Sequence, residues 1–96
     1  MKHPMKHQFR LYVAGGTQNS LDAANNLACY CRQNLPASHE IELIDVLTRP
    51  ELALADKVFM TPMLVRMRPR PHMRIVGTLS NPQSMSTMMD LASAVA

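Results

Sequence analysis

The stretch Leu11-Tyr12-Val13-Ala14-Gly15-Gly16-Thr17-Gln18-Asn19-Ser20 constrains this chain more than any other. Phe9, Leu11 and Val13 fall on one side of a period-two pattern, so the segment reads as a strand with a buried face. Gly15 and Gly16 permit the backbone angles of a tight turn, and Asn19 or Ser20 can accept from the first free amides of a helix. A strand that turns straight into a helix sends that helix back across the sheet, which is the start of a strand-helix-strand crossover. The corner holds no cysteine, so it is well specified as structure and empty as chemistry.

The rest of the pattern can be read from that corner outward. Residues 8 to 14 are expected as a strand, and 20 to 35 as an amphipathic helix with Leu21, Ala24, Leu27, Ala28, Cys31 and Leu35 on its apolar stripe and Pro36 ending it. Ile41 to Leu47 is a second, nearly continuous apolar strand, with Asp45 read as a turn-side carboxylate bonded to nearby amides. Thr48-Arg49-Pro50-Glu51 has the form of a capping box that opens a short helix to about Lys57. Met63 to Met67 and Met73 to Gly77 are two further strands. Between them, Arg68-Pro69-Arg70-Pro71-His72 carries two prolines that keep it out of mid-sheet. Ser80-Asn81-Pro82 caps a last helix whose Met85, Met88, Met89, Ala92 and Val95 face the core. The order is βαβαββα in one domain spanning 1–96, with residues 1–7 expected as a flexible N-terminus. That order is the thioredoxin-like arrangement, an α/β fold with a mixed sheet and helices on both faces. Thr61-Pro62 falls where such a fold places a cis-proline beside the corner.

Composition removes several function classes. Hydrophobic residues make up 47% and charged ones 18%, a globular balance without an apolar run of the roughly 18 residues a membrane span needs. The basic start leads into a strand pattern without an apolar signal core, so a cytoplasmic location is expected. Cys29 and Cys31 are two apart in a helical pattern and point about 200° away from each other, too far round the helix for a disulfide. Thioredoxin-type redox chemistry needs its attacking cysteine at the helix N-terminus, where the dipole lowers the thiol pKa, and none is there, so a thioredoxin-like redox protein is kept as the alternative reading and not the first. His3, His7, His39 and His72 lack the short spacing of zinc ligands, so neither a metal nor a cofactor is expected. Arg66, Arg68, Arg70 and Arg74, with His72 among them, form the densest basic element of a chain whose net charge is +3. Nucleic-acid binding calls for aromatics beside such arginines, and Phe9, Tyr12, Tyr30 and Phe59 lie elsewhere in sequence. A solvated edge, or a face for an acidic protein surface, is the plainer reading.

Several separate blocks together resemble the KaiB family of circadian clock proteins. They are Leu11-Tyr12-Val13-Ala14-Gly15 with Thr17, Asn19 and Ser20; Ile44-Asp45-Val46-Leu47 with Pro50, Leu52, Ala53, Asp56 and Lys57; Thr61-Pro62; and Arg74-Ile75-Val76-Gly77 with Leu79-Ser80. The resemblance runs in register from about residue 9 to residue 90. It implies a non-enzymatic regulator that binds the ATPase KaiC, helps recruit KaiA, and competes with the KaiB-like sensor domain of the histidine kinase SasA. It also implies two folds: a tetramer of order βαββααβ, and the thioredoxin-like monomer. The homo-oligomer, tetramer or dimer, belongs to the first of these. The fold-switch region it implies comprises Thr61, Pro62, Gly77 and Thr78, and the partner-binding residues are Asp22, Asn25, Glu42, Lys57 and Arg74. Clock members tend to be basic where this chain has Asp22, Asn25 and Glu42, and acidic where it has Thr78. They often carry an acidic tail beyond the position of Ala96. These departures fit a divergent homologue working with its own KaiC-like ATPase, in a clock or in stress signalling.

Overall fold

The computed structural model describes residues 7–35, 39–81 and 83–87. Its elements are β1 (His7–Val13), α1 (Gln18–Asn34), β2 (His39–Asp45), α2 (Pro50–Ala55), β3 (Met63–Arg68) and β4 (Met73–Val76). A helical turn follows at 83–87. The four strands make one mixed sheet in the order β2-β1-β3-β4. β1 runs parallel to β2 and antiparallel to β3, and β3 and β4 form an antiparallel hairpin. This is the thioredoxin-like order expected from the sequence. The expected continuation of the last helix through Met88, Met89, Ala92 and Val95 lies outside the described residues, as do residues 1–6. His7, expected in a flexible terminus, instead opens β1 opposite His39.

Alternation along β1 and β3 builds two cores. Phe9, Leu11, Val13 and Leu64 face α1, which contributes Ala23, Leu27 and Cys31, with Leu79 and Met85 closing the cluster. Tyr12, Met63 and Val65 face the other way with Ile44, against Ala53 and Val58 around α2. Strands buried on both faces are apolar nearly throughout, which is why Leu11-Tyr12-Val13 and Met63-Leu64-Val65 lack a polar alternate.

Three local expectations are corrected. The first concerns the corner. α1 begins at Gln18 with Thr17 as its N-cap residue and no side-chain cap, and Ser20 is buried. The Ser20 Oγ accepts from the Ala14 N–H at 3.1 Å and from the Thr17 hydroxyl at 2.8 Å, so it serves the corner and not the helix amides. Successive helical residues are 100° apart, and holding Ser20 inward turns Leu21 outward to 49% exposure while Ala23 takes the buried place.

The second concerns the start of α2. Arg49 is the N-cap residue and makes no side-chain cap, although Pro50 sits in the first turn as expected. The Thr48 hydroxyl donates to the Asp45 carbonyl at 3.3 Å, so no capping box forms. α2 ends with Lys57 in the left-handed region at φ 57°. The Val58 N–H returns to the Ala53 carbonyl at 2.8 Å and the Lys57 N–H to the Leu54 carbonyl at 3.1 Å. That pairing is a Schellman stop, with lysine where glycine is usual.

The third concerns the basic hairpin. Arg68, Arg70 and His72 are exposed as expected, but Arg66 is fully buried on the α1 side of β3. Its Nη2 donates to the Pro71 carbonyl at 2.7 Å, fastening the β3–β4 loop from inside. Burial lowers its pKa from the ordinary arginine value.

Candidate functional site

The C-terminal ends of β1 and β2 meet at the glycine corner. Gly15 adopts φ 55°, a left-handed angle that a side chain disfavours. Its N–H donates to Asp45 Oδ1 at 3.1 Å, and the same oxygen accepts from the Leu47 N–H at 2.9 Å. Asp45 is therefore the turn-side carboxylate that its place in the sequence suggested. A Cβ on Gly15 would meet Leu47 Cδ1 at 3.4 Å, so the two turns pack against each other. Helix N-termini with open amides readily take anions. The Ala14 and Gly15 amides, which precede the helix, are spent on Ser20 and Asp45, and no side chain caps the first turn of α1.

What this end of the molecule offers instead is apolar surface. Leu47 is 71% exposed and Phe59 is 78% exposed, with Met60 and Val76 also exposed. Phe59 and Met60 lead directly into the cis Thr61–Pro62 bond. The Pro62 carbonyl accepts from the Gly77 N–H at 2.9 Å, and Met63 pairs with Val76, which brings the two chain segments together. Gly77 leaves β4 at φ 112°, and Leu79 is left-handed at φ 60° with its side chain buried. Between them, the Thr78 carbonyl accepts from Asn26 Nδ2 of α1 at 2.8 Å, and the Thr78 hydroxyl donates to Ser80 Oγ at 3.2 Å. Pro62 and Gly77, two residues that the resemblance groups, are thus directly bonded, with Thr61 and Thr78 adjoining them in the chain.

A second constellation lies on the α2 face. The Asp56 carboxylate accepts from Arg10 Nη1 at 2.9 Å and from the Tyr12 hydroxyl, while Arg10 Nε reaches Glu42 Oε1 at 3.1 Å. Arg74 donates to the Asp56 and Lys57 carbonyls where α2 ends, the latter at 2.9 Å. Burial pushes the Tyr12 phenol up to about 12, and its bond to Asp56 adds to the rise. For Asp56, burial opposes the charged form, but the bonds from Tyr12 and Arg10 and the nearby Arg74 outweigh it and lower its pKa. The Arg10 pKa is raised by its bond to Asp56. Glu42, Lys57 and Arg74, proposed from sequence as binding residues, are joined here through Arg10 and Asp56.

Asp22 and Asn25 are not part of this network. They sit on α1, against the opposite face of the sheet, where Asp22 accepts from Gln18 Nε2 at 2.8 Å and Asn25 is exposed. The five residues therefore lie on two sides of the molecule. Arg10, Tyr12 and Asp56 are the residues that sequence reasoning missed. Arg10 and Tyr12 do stand on the face of β1 opposite Phe9 and Leu11, the one signal available. Beside them, an open cleft of about 430 Å³ is lined by Gln8, Arg10, Glu40, Glu42 and Met67.

The two cysteines lie well inside α1, away from the corner. Cys29 is exposed and Cys31 is buried, and burial pushes the Cys31 thiol up to about 11. A thiol so shifted is a poor nucleophile at neutral pH. Among the described residues, no three His, Cys, Asp or Glu side chains are grouped to hold a metal ion, and no helix is long and apolar enough to cross a membrane.

With this geometry in place, comparison with known proteins is decisive. The family model described as the KaiB domain matches residues 10–91. The chain belongs to the KaiB family. The circadian clock protein KaiB3 of Synechocystis sp. PCC 6803 is 34% identical over 82 residues, 85% of this chain and 80% of that protein. The circadian clock oscillator protein KaiB of Prochlorococcus marinus MIT 9312 is 39% identical over 82 residues, 85% of this chain and 78% of that one. Among solved structures, the N-terminal domain of Synechococcus elongatus SasA superposes with a TM-score of 0.76 at 16% identity, covering 92% of this chain and 84% of that domain. Chloroplastic thioredoxin z superposes with a TM-score of 0.75 at 20% identity, covering 93% and 80%. At such identities the two structures speak to the fold alone. Within the KaiB family, then, this chain has the thioredoxin-like architecture, and its corner carries no redox cysteine.

Proposed function

We propose that this KaiB-family chain is a non-enzymatic regulatory module that binds a KaiC-type ATPase, in circadian or stress-related signalling in the cytoplasm. KaiA-like or histidine-kinase components are further partners in this reading, and a homo-oligomer belongs to the alternative fold. The observation that supports it best is the corner itself. Where a thioredoxin-like enzyme would place its cysteines, Asp45 and Ser20 occupy the amides of Gly15, Leu47 and Ala14, and exposed Leu47, Phe59 and Met60 surround them. Exposed apolar side chains grouped at one end of a small domain are what a protein partner buries.

The partner-binding residues in this reading are Asp22 and Asn25 on α1 together with Glu42, Lys57 and Arg74 on the α2 side, and Thr61, Pro62, Gly77 and Thr78 form the switch region. The test is co-purification with the KaiC-type ATPase of the same cell, after prolonged incubation. A binding-competent state that is rarely populated lowers the apparent affinity by its population. A stable complex that weakens at least tenfold in Phe59→Ser supports the reading. Absence of any complex after long incubation counts against it.

A further inference from the structure

The two ends of the sheet carry different chemistry, and the end opposite the corner is basic. β1 starts there at His7, β2 starts beside it at His39, and β3 finishes there with Arg68 opposite Gln8. α1 returns to the same end, where the Leu35 carbonyl meets the His39 ring, and it carries the exposed Arg32 in its last turn. The β3–β4 loop adds Arg70 and His72, both exposed. Among the described residues, the acidic ones nearest this end are Glu40, which is itself engaged, and Glu42, which is paired with Arg10 at 3.1 Å. Arg32, Arg68 and Arg70 have no ion pair among the described residues. Asp22, Asp45, Glu51 and Asp56 all lie toward the other end or on α2.

We propose that this basic end, built on Arg68 and Arg70 with Arg32 at the same end of the molecule, is a second interaction surface that takes an acidic protein segment rich in Asp and Glu. The loop is held ready for it. Two prolines limit its backbone, and the buried Arg66 guanidinium grips the Pro71 carbonyl at 2.7 Å, so the loop backbone loses little freedom on binding. A guanidinium matches a carboxylate with two parallel N–H donors, which favours arginine over lysine at such a surface.

The alternatives fit less well. Single-stranded nucleic acid is gripped by aromatic stacking platforms beside the cations, and the exposed Phe59 is at the far end. A membrane surface calls for an apolar anchor or a larger group of cations. Of the exposed large apolar side chains among the described residues, Leu47, Leu54, Phe59, Met60 and Val76 lie on α2 or at the corner end, Leu21 lies in the first turns of α1, and Leu43 lies two residues before the corner end of β2. This surface stands apart from the KaiC-type site proposed above and does not depend on it.

The experiment titrates the full chain into a fluorescein-labelled oligo-glutamate peptide and follows anisotropy at low and moderate salt. The expected result is saturable binding that weakens with salt, falls at least tenfold in the Arg68→Glu/Arg70→Glu variant, and is unchanged in Arg49→Glu at the opposite end. Far-UV circular dichroism checks that the variants fold, and the milder Arg68→Gln/Arg70→Gln pair carries the test if charge reversal does not. Three results would each overturn the proposal: no saturable binding, equal loss in Arg49→Glu, or tighter binding to oligothymidylate or phosphatidylserine vesicles than to the peptide.

Discussion

The corner end and the basic end of this sheet share the same central strands, yet almost nothing in their chemistry is shared. At the corner, one carboxylate oxygen of Asp45 holds two turns, and the surface around it is apolar. At the other end, one guanidinium from Arg66 holds a loop, and the surface around it is cationic. In both, a half-buried or buried charged group fixes backbone while the exposed neighbours are left for recognition. The difference lies in what each surface can recognise: the apolar end gains from area removed from water, whereas the basic end gains from charge and is weakened by salt.

Four substitutions probe that contrast, the largest first. Leu64 is fully buried on β3 between the two ends. Leu64→Ala leaves a cavity at the shared centre, costs about 2–5 kcal/mol, and so weakens both ends alike; a denaturant titration measures it. Asp45→Ala strips two amides of their acceptor and costs about 1–3 kcal/mol. Hydrogen exchange should then accelerate at Gly15 and Leu47 and leave residues 68–72 unchanged, which sharpens the separation.

Tyr12→Phe removes the hydroxyl from Asp56 at a cost of about 1 kcal/mol, and pH shows where that contribution acts. Because the native phenol is raised to about 12, its stabilising effect is complete below the ordinary tyrosine value of about 10 and is lost as pH rises toward 12. Asp56 works in the opposite direction. Its pKa is lowered, so its contribution is present above the ordinary carboxylate value of about 4 and is lost as pH falls through its lower native value. Thermal melts across pH should show both edges in the wild type and lose the alkaline one in Tyr12→Phe. The smallest effect is expected at Lys57, whose φ of 57° suits glycine. Lys57→Gly stabilises by up to about 1 kcal/mol by relieving the left-handed angle. A loss of stability would show instead that the lysine side chain carries more than a helix stop.

Much of this frame was legible before any coordinates, and the reasons are local. Gly15 after an alternating run, Pro50 in a first helical turn, and prolines 69 and 71 outside the strands are all decided by backbone preferences of single residues. What was not legible involves partners far apart in sequence or a choice between two plausible local bonds. Tyr12 and Asp56 are 44 residues apart, and nothing in either neighbourhood announces the other. Ser20 could cap a helix or hold a corner, and the choice was made by the Ala14 amide, not by propensity. Arg66 sat within a run of four basic residues and looked like its neighbours. Only the alternation of β3, which turns Leu64 and Arg66 to the same face as Phe9, sends it inward. The binding residues named from sequence divided between two layers for a similar reason, since α1 and α2 cover opposite faces of one sheet.

β1 is the first of the described strands and yet an interior strand of the sheet, between β2 and β3. As the chain leaves the ribosome, one side of β1 finds its partner once residue 45 has emerged, and the other side waits until residues 63 to 68 follow. During that interval β1, whose Leu11 to Val13 are apolar on both faces, presents an open hydrogen-bonding edge of the kind that attracts foreign strands. A slower passage of residues 45 to 68 lengthens the time for which that edge stays open.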